Sequence, residues 1–224
     1  MTSEHSKLTA DARLILRHAK DTVKAFDKAF ETVRKERGVT QGAPTDAEQD
    51  LLRAALVLAG AGLDSLTKQL IRAALPVLLE RDEKVQKEFE DFAATRIKST
   101  ASEADQPSGA KFLARILSAP SPRERLISEY TEDLTRGSLQ SVDELFKATA
   151  ALGVDGSSLG KTAKELKVIF DTRNQIIHEL DINLAGTKRK RRQRTRDRML
   201  DDANVLLSFG ESLISAVEVG LDRA

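Results

Sequence analysis

The chain has 224 residues, of which 36 are Lys or Arg and 35 are Asp or Glu, so its formal net charge at pH 7 is only +1. Its 40% of apolar and 32% of charged residues are typical of a globular protein and not of a disordered or membrane-embedded chain. The absence of cysteine excludes disulfides and thiolate nucleophiles, and three scattered histidines disfavour a transition-metal centre. We therefore expect no metal and no cofactor.

The scarcity of aromatic residues predicts an all-α fold. There is no Trp, one Tyr and eight Phe, while Ala, Leu, Glu, Lys and Arg are abundant and favour helices over sheets. We expect residues 1–224 to form one helical domain, because neither side of the best linker has a convincing core of its own. The polar N-terminus lacks a signal-peptide core, so a cytoplasmic protein without membrane contact is expected.

Two long helices are predicted in the N-terminal part of the chain. The first runs from about Thr9 to Arg37, and the second begins after Thr45, which forms a capping box with Glu48. The stretch Ala54–Leu63 is apolar on all sides, which predicts the most buried helix but is too short to span a bilayer. Within it, Gly60–Gly62 leaves room for the close approach of a neighbouring backbone.

The end of this buried stretch carries an acid. Asp64 must turn to solvent or pair with a cation, and Arg173 is the first candidate. Further along, Pro76 is expected to kink or restart the helix, which then continues to about Lys98. Residues 99–109 have the composition of a mobile loop.

Four more helical segments follow the loop, besides the one described next. They are expected at Lys111–Leu117, from Ser121 to near Gly137, at Ser138–Leu152, and from Arg196 to Leu221.

The segment Leu166–Leu180 is predicted to be a helix with unusual charges. Its apolar residues recur at helical spacing, and Arg173 projects onto the middle of the apolar face. A guanidinium there must find an anion or reach water, because burying it unpaired is very costly. His178 lies about 140° around the helix, on the side of Asn174 and Asp171.

The residues Arg173 to His178 read Arg-x4-His, with the polar Asn174 directly after the arginine. This pattern resembles the signature of the HEPN superfamily (higher eukaryotes and prokaryotes nucleotide-binding domains). Arg13 and His18 have the same spacing, but they belong to the amphipathic first helix, where we expect both side chains to face solvent.

The resemblance implies a fold and an activity. It implies a helical bundle, here with additional helices inserted between the N-terminal and C-terminal helix pairs. It also implies a metal-independent endoribonuclease, a toxin or antiviral effector, with motif helices paired in a homodimer and with an antitoxin or other regulatory protein as a further partner.

The side chains of the motif suit RNA cleavage by attack of the 2′-hydroxyl on the adjacent phosphate. Histidine is the side-chain type suited to proton transfer near neutral pH, so His178 can fill this role, and Arg173 can stabilise the charge of the phosphorane. Asn174 could orient the substrate or the imidazole, and Asp64 and Asp171 are possible supporting residues.

A basic segment, residues 188–198, follows this helix. Eight of its eleven residues are basic and one is acidic, so the rest of the chain has a net negative charge. We expect it to bind RNA phosphates near the Arg/His helix, although a solvated arm is the alternative. The expected RNA-binding residues are Lys188, Arg189, Lys190, Arg191, Arg192 and Arg194.

Two other functions stay open. One is an RNA- or nucleotide-binding protein of the same fold without turnover, in which Arg173 and the basic segment only hold phosphate. The other is a helical interaction protein, in which Arg173 forms a structural ion pair and His178 is an ordinary surface residue.

Overall fold

The structure is a computed structural model that describes residues 2–38, 42–99, 108–139, 141–185 and 189–223, with side chains from residue 6 onward. The all-α prediction is confirmed, since the described residues contain no strand and only an isolated antiparallel bridge between Ile182 and Arg191. Their α-helices are α1 (Thr2–Glu36), α2 (Asp46–Leu78), α3 (Glu83–Lys98), α4 (Gly109–Leu117), α5 (Pro122–Thr135), α6 (Val142–Ala150), α7 (Ala163–Glu179) and α8 (Arg196–Arg223).

The centre of the molecule is a layer of three long helices, α1, α2 and α8. As the apolar stretch predicts, α2 is the most buried of them, with side chains such as Leu56, Leu63 and Leu70 no more than 1% exposed. Burying a leucine side chain contributes about 1.5–3 kcal/mol, so α2 supplies much of the driving force for folding. Helices α3, α5, α6 and α7 add residues to one contiguous hydrophobic core with this layer, whereas α4 packs on α3 and α5.

The glycines of the central helices let their neighbours approach. A Cβ on Gly62 would lie 2.6 Å from the Cβ of Ala19 in α1, and one on Gly210 would lie 2.8 Å from Leu66. Gly60 differs from the expectation, because the group packed over it is the side chain of Arg173 and not a backbone.

The starts of the helices are set by local hydrogen bonds. The predicted capping box of α2 is confirmed: the amide of Glu48 donates to Thr45 Oγ1, and the amide of Thr45 donates to Glu48 Oε2 at 2.7 Å. Asp82 caps α3 through the amides of Lys84 and Val85, and this cap corrects the prediction of one helix continuing from Pro76 to Lys98.

Two other predicted helix starts change. Helix α1 already begins at Thr2, and α6 begins at Val142 because Ser141, and not Ser138, forms its capping box with Glu144. Residues 100–107 of the predicted loop lie outside the described part of the chain, while Gly109 donates its amide to the carbonyl of Ser99 at 2.8 Å.

Helices α3, α4 and α5 pack on one another through aromatic rings. The rings of Phe92 and Tyr130 lie 4.7 Å apart, and Phe92 also meets Phe112 edge to face. Of these three, α4 and α5 lie in the stretch between Ser99 and Leu152 that the sequence predicted to hold the additional helices, and α6 completes that set. Helix α3 instead occupies the stretch that was predicted as the continuation of α2.

Two helices, α2 and α8, are long and apolar enough by length and composition to cross a membrane. Both are central helices of the hydrophobic core, and core helices satisfy the same criterion. The property is therefore weak evidence for a membrane span.

Candidate functional site on helix α7

Helix α7 is fixed at both ends by its own sequence. Thr162 and Glu165 form a capping box at the start, with Thr162 Oγ1 accepting from the amide of Glu165. At the end, Leu180 and Asp181 both adopt left-handed backbone, with φ of 50° and 59°. Their amides donate to the carbonyl of Gln175, which closes the last turn.

The apolar face predicted for α7 is buried in the N-terminal part of the helix, whereas Ile177 and, just after the helix, Leu180, which the periodicity places on the same face, are exposed. Leu166, Ile169 and Phe170 belong to the core, while Asp171 and His178 are exposed. His178 therefore faces solvent, while the buried side chains of α7 pack the helix against the bundle.

Arg173 lies on the buried face and has few partners. Its side chain packs over Gly60 and is 9% exposed. One terminal nitrogen donates to Asn174 Oδ1 at 3.1 Å, whereas the buried Nε has no hydrogen-bond partner. Burial lowers the pKa of Arg173, and the carboxylates of Asp64 and Glu144 act in the opposite direction. The guanidinium is thus held in a site that penalises its charge.

The expected ion pair between Asp64 and Arg173 is not formed. Asp64 instead accepts from Lys68 Nζ at 2.8 Å and from the amide of Leu139 at 2.9 Å. Its charge still favours the charged form of Arg173 through space. Asp64 supports the site as a nearby anion and not as a direct partner.

A second buried arginine shows what full compensation looks like in this protein. Arg53 is 3% exposed and donates from Nε to Asp181 at 2.9 Å, from Nη1 to Asp50 at 3.0 Å, and from Nη2 to the carbonyl of Arg192 at 2.9 Å. Arg173 has no carboxylate within 4 Å in the described part of the chain. A desolvated guanidinium that lacks a directly paired carboxylate is stabilised when it binds an anion.

The other motif residues are less buried than Arg173. His178 is exposed and has no hydrogen bond to another described residue, so its imidazole is free to meet a ligand. Asn174, one turn before it, is half-buried and is linked to Arg173 by the hydrogen bond given above. Asp171 pairs with Lys167 at 2.8 Å, so its carboxylate is engaged with that lysine. Across the described ranges, no cluster of three or more His, Asp or Glu side chains is placed to hold a metal ion.

The basic segment is mostly neutralised by the protein itself. Lys188 lies outside the described residues, and the exposed Arg189 and Lys190 have no ion pair with the described part of the chain. The five arginines that follow each pair with a carboxylate: Arg191 with Asp50, Arg192 with Glu179, Arg194 with Asp181, Arg196 with Asp27, and Arg198 with Asp202. The described segment from Arg191 onward is therefore neither a solvated arm nor a strip of free cations.

The sequence reasoning missed the importance of Arg53 and Asp181. Arg53 lies in α2, and Asp181 follows the C-terminal end of α7. They are 128 residues apart in the chain, and no local pattern announces such a pair. The position of Arg53 directly beside the apolar stretch Ala54–Leu63 could have indicated a buried arginine, which requires a carboxylate partner.

Comparison with known proteins gives no match to a protein-family model, to a curated protein or to a solved structure. The geometry of α7 is therefore the basis for assigning a function.

Proposed function

We propose that this protein is a metal-independent endoribonuclease of the HEPN type, with Arg173, His178 and Asn174 as its catalytic residues. The observation that carries the proposal is the buried guanidinium of Arg173, which forms no ion pair with a described residue, on the helix that exposes His178. A purely structural arginine at this depth would be paired as Arg53 is, because an unpaired buried charge destabilises the fold.

The proposed reaction uses only groups of the protein and of RNA. His178 accepts the proton of the 2′-hydroxyl, whose oxygen attacks the adjacent phosphorus. Arg173 donates hydrogen bonds to the phosphate oxygens that gain charge in the transition state, and Asn174 orients the guanidinium through the hydrogen bond between them. The P–O5′ bond breaks, and the leaving 5′-oxygen takes up the proton from the His178 imidazolium, so the products are a 2′,3′-cyclic phosphate and a 5′-hydroxyl.

The test is cleavage of end-labelled RNA in the presence of chelator. The wild type should produce 2′,3′-cyclic phosphate ends, and a 2′-deoxy nucleotide at the cut site should abolish cleavage. His178→Ala should reduce the rate by about 10²- to 10⁴-fold, the usual contribution of a general acid or base.

The chain contains its own control for this experiment. His18 follows Arg13 at the same Arg-x4-His spacing, but Arg13 is paired with Glu218 and is not buried. His18→Ala should cleave like the wild type. Equal activity of the wild type and His178→Ala, or cleavage of the 2′-deoxy substrate, would refute the proposal.

A second candidate is an RNA- or nucleotide-binding protein without turnover. It is favoured by the lack of a hydrogen bond that orients the His178 imidazole within the described residues. In that case Arg173 holds a phosphate and His178 is ordinary surface. Binding that depends on Arg173 without cleavage by the wild type would select this candidate.

A further inference from the structure

The basic segment contacts the last turn of α7, which carries His178. Arg192 Nη1 donates to Glu179 Oε2 at 3.1 Å and to the carbonyl of Ile182 at 2.8 Å. Arg194 donates from Nη2 to Gln175 Oε1 at 3.1 Å and from Nε to Asp181 Oδ2 at 2.9 Å. Two arginines thus hold residues on both sides of His178.

The backbone at this point needs such support. Leu180 and Asp181 are consecutive non-glycine residues with left-handed φ, a conformation that persists only when the surroundings impose it. The amide of Arg192 donates to the carbonyl of Asp181 at 2.8 Å. Asp181 itself is fully buried and also accepts from Arg53 of α2, so the turn is tied to the centre of the bundle.

These contacts make phosphate binding by Arg194 costly. For Arg194 to bind a phosphate with its guanidinium, it would have to release Asp181, and a buried carboxylate that loses a partner is costly. Arg189 and Lys190 face no such cost, because they are exposed and have no ion pair in the described part of the chain.

We infer that Arg192 and Arg194 are positioning residues that hold the last turn of α7, and with it His178, while the phosphate contacts of the basic segment come from Arg189 and Lys190. The second half of this inference rests on the proposed function. The first half concerns the structure of α7 alone and can be tested without RNA.

Two double variants that remove the same charge separate the roles. Arg192→Gln with Arg194→Gln removes the contacts to α7, and Arg189→Gln with Lys190→Gln removes two exposed cations. Amide hydrogen exchange at Glu179, Leu180 and Asp181 should accelerate by about tenfold or more in the first variant, since charge-assisted hydrogen bonds that close the turn are lost. It should stay at the wild-type rate in the second.

The NMR signals of the His178 imidazole report whether this side chain keeps its position. Its NMR signals should shift and broaden in the Arg192/Arg194 variant and remain unchanged in the Arg189/Lys190 variant. If the first double variant does not fold, the single variant Arg192→Gln replaces it, because the Arg192 side chain is partly exposed (27%) and its replacement should disturb the fold less. Unchanged exchange and unchanged His178 signals in a folded Arg192 or Arg194 variant would overturn the positioning role.

RNA measurements then divide the two roles kinetically. The Arg192/Arg194 variant should lose kcat with little change of KM, and Arg192→Lys with Arg194→Lys should recover part of the loss. The Arg189/Lys190 variant should raise KM and reduce the logarithmic salt dependence of binding by about one to two units. A larger change of salt dependence in the Arg192/Arg194 variant would overturn the assignment. If the wild type neither binds nor cleaves RNA, the proposed function fails, and hydrogen exchange still decides the positioning role.

Discussion

At the scale of the residue, two buried arginines have opposite environments. Arg53 donates hydrogen bonds to Asp181, Asp50 and a backbone carbonyl, whereas Arg173 has one hydrogen bond within the described residues, to Asn174. Because the interior penalises an uncompensated charge, the two should respond in opposite ways when the charge is removed.

Replacing each arginine by methionine tests this contrast. Arg53→Met should lower the free energy of unfolding by about 3–5 kcal/mol, because it breaks a buried ion pair. Arg173→Met should change it by less than about 1 kcal/mol or increase it, since methionine fills the space without a charge. Urea unfolding measures both values. A loss for Arg173→Met as large as that for Arg53→Met would mean that Arg173 is a structural residue.

Two buried aspartates show the same principle through their pKa values. Burial raises the pKa of Asp202, whose charge is only partly offset by the exposed Arg198. Burial acts on Asp181 in the same direction, but hydrogen bonds from Arg194 and Arg53 outweigh it, and the pKa of Asp181 lies below its ordinary value. The ionised form of Asp181 thus stabilises the fold, while that of Asp202 is unfavourable.

The pH dependence of stability should differ accordingly between two variants. Asp181→Asn should cost about 3 kcal/mol or more at pH 7, and this difference from the wild type should shrink as the pH falls below about 4 through the folded-state pKa. Asp202→Asn should be at least as stable as the wild type at pH 7, with any gain lost below about pH 4, where the unfolded chain is also protonated. Thermal unfolding between pH 3 and pH 7 in ~1-unit steps measures both. Parallel curves for the two variants would contradict the assignment.

At the scale of the element, α2 uses two glycines for different purposes. Gly62 is needed for contact with α1, since a Cβ there would lie 2.6 Å from Ala19. Gly60 faces the aliphatic part and Nε of Arg173, where the nearest atom would be 3.4 Å away, an ordinary contact.

Alanine at each position should therefore have a different effect on stability. Gly62→Ala should cost about 1–3 kcal/mol, because overpacking forces α1 and α2 apart. Gly60→Ala should be neutral or stabilising by up to about 1 kcal/mol, through the better helix propensity of alanine. Denaturant unfolding of both variants checks the prediction, and equal losses would show that Arg173 is packed too rigidly to adjust.

At the scale of the whole molecule, the homodimer remains a prediction. The surface that α7 would offer to a second copy includes Ile177, which is 38% exposed, and the adjoining Leu180, which is 68% exposed. A two-fold axis at this surface would bring two sets of Arg173 and His178 into one cleft and supply a second proton donor.

Sedimentation of the wild type and of Ile177→Asp tests the dimer. The wild type should be dimeric at micromolar concentration, and a charge at Ile177 should dissociate it, because an unpaired carboxylate cannot be buried in an apolar interface. Lys167→Asp, on the exposed face near Asp171, is a control that should stay dimeric. A monomeric wild type that still cleaves RNA would rule out a composite site.

The sequence alone determined what depends on neighbours in the chain. Helical periodicity and the composition indicated the all-α fold, and a capping box marked the start of α2. The same periodicity placed Arg173 on a buried face and His178 on an exposed one, because rotation per residue in a helix is constant. These features need only interactions between residues a few positions apart.

Only the tertiary structure decided which charges meet. Asp64 binds Lys68 and the amide of Leu139, so Arg173 has no ion pair within the described residues. The arginines of the basic segment pair with acids that include residues of α1, α2, α7 and α8. A salt bridge joins residues at any separation along the chain, and its partner depends on how the helices pack. The sequence of a basic segment therefore does not distinguish cations that bind RNA from cations that pair with the protein's own carboxylates and stabilise the last turn of α7.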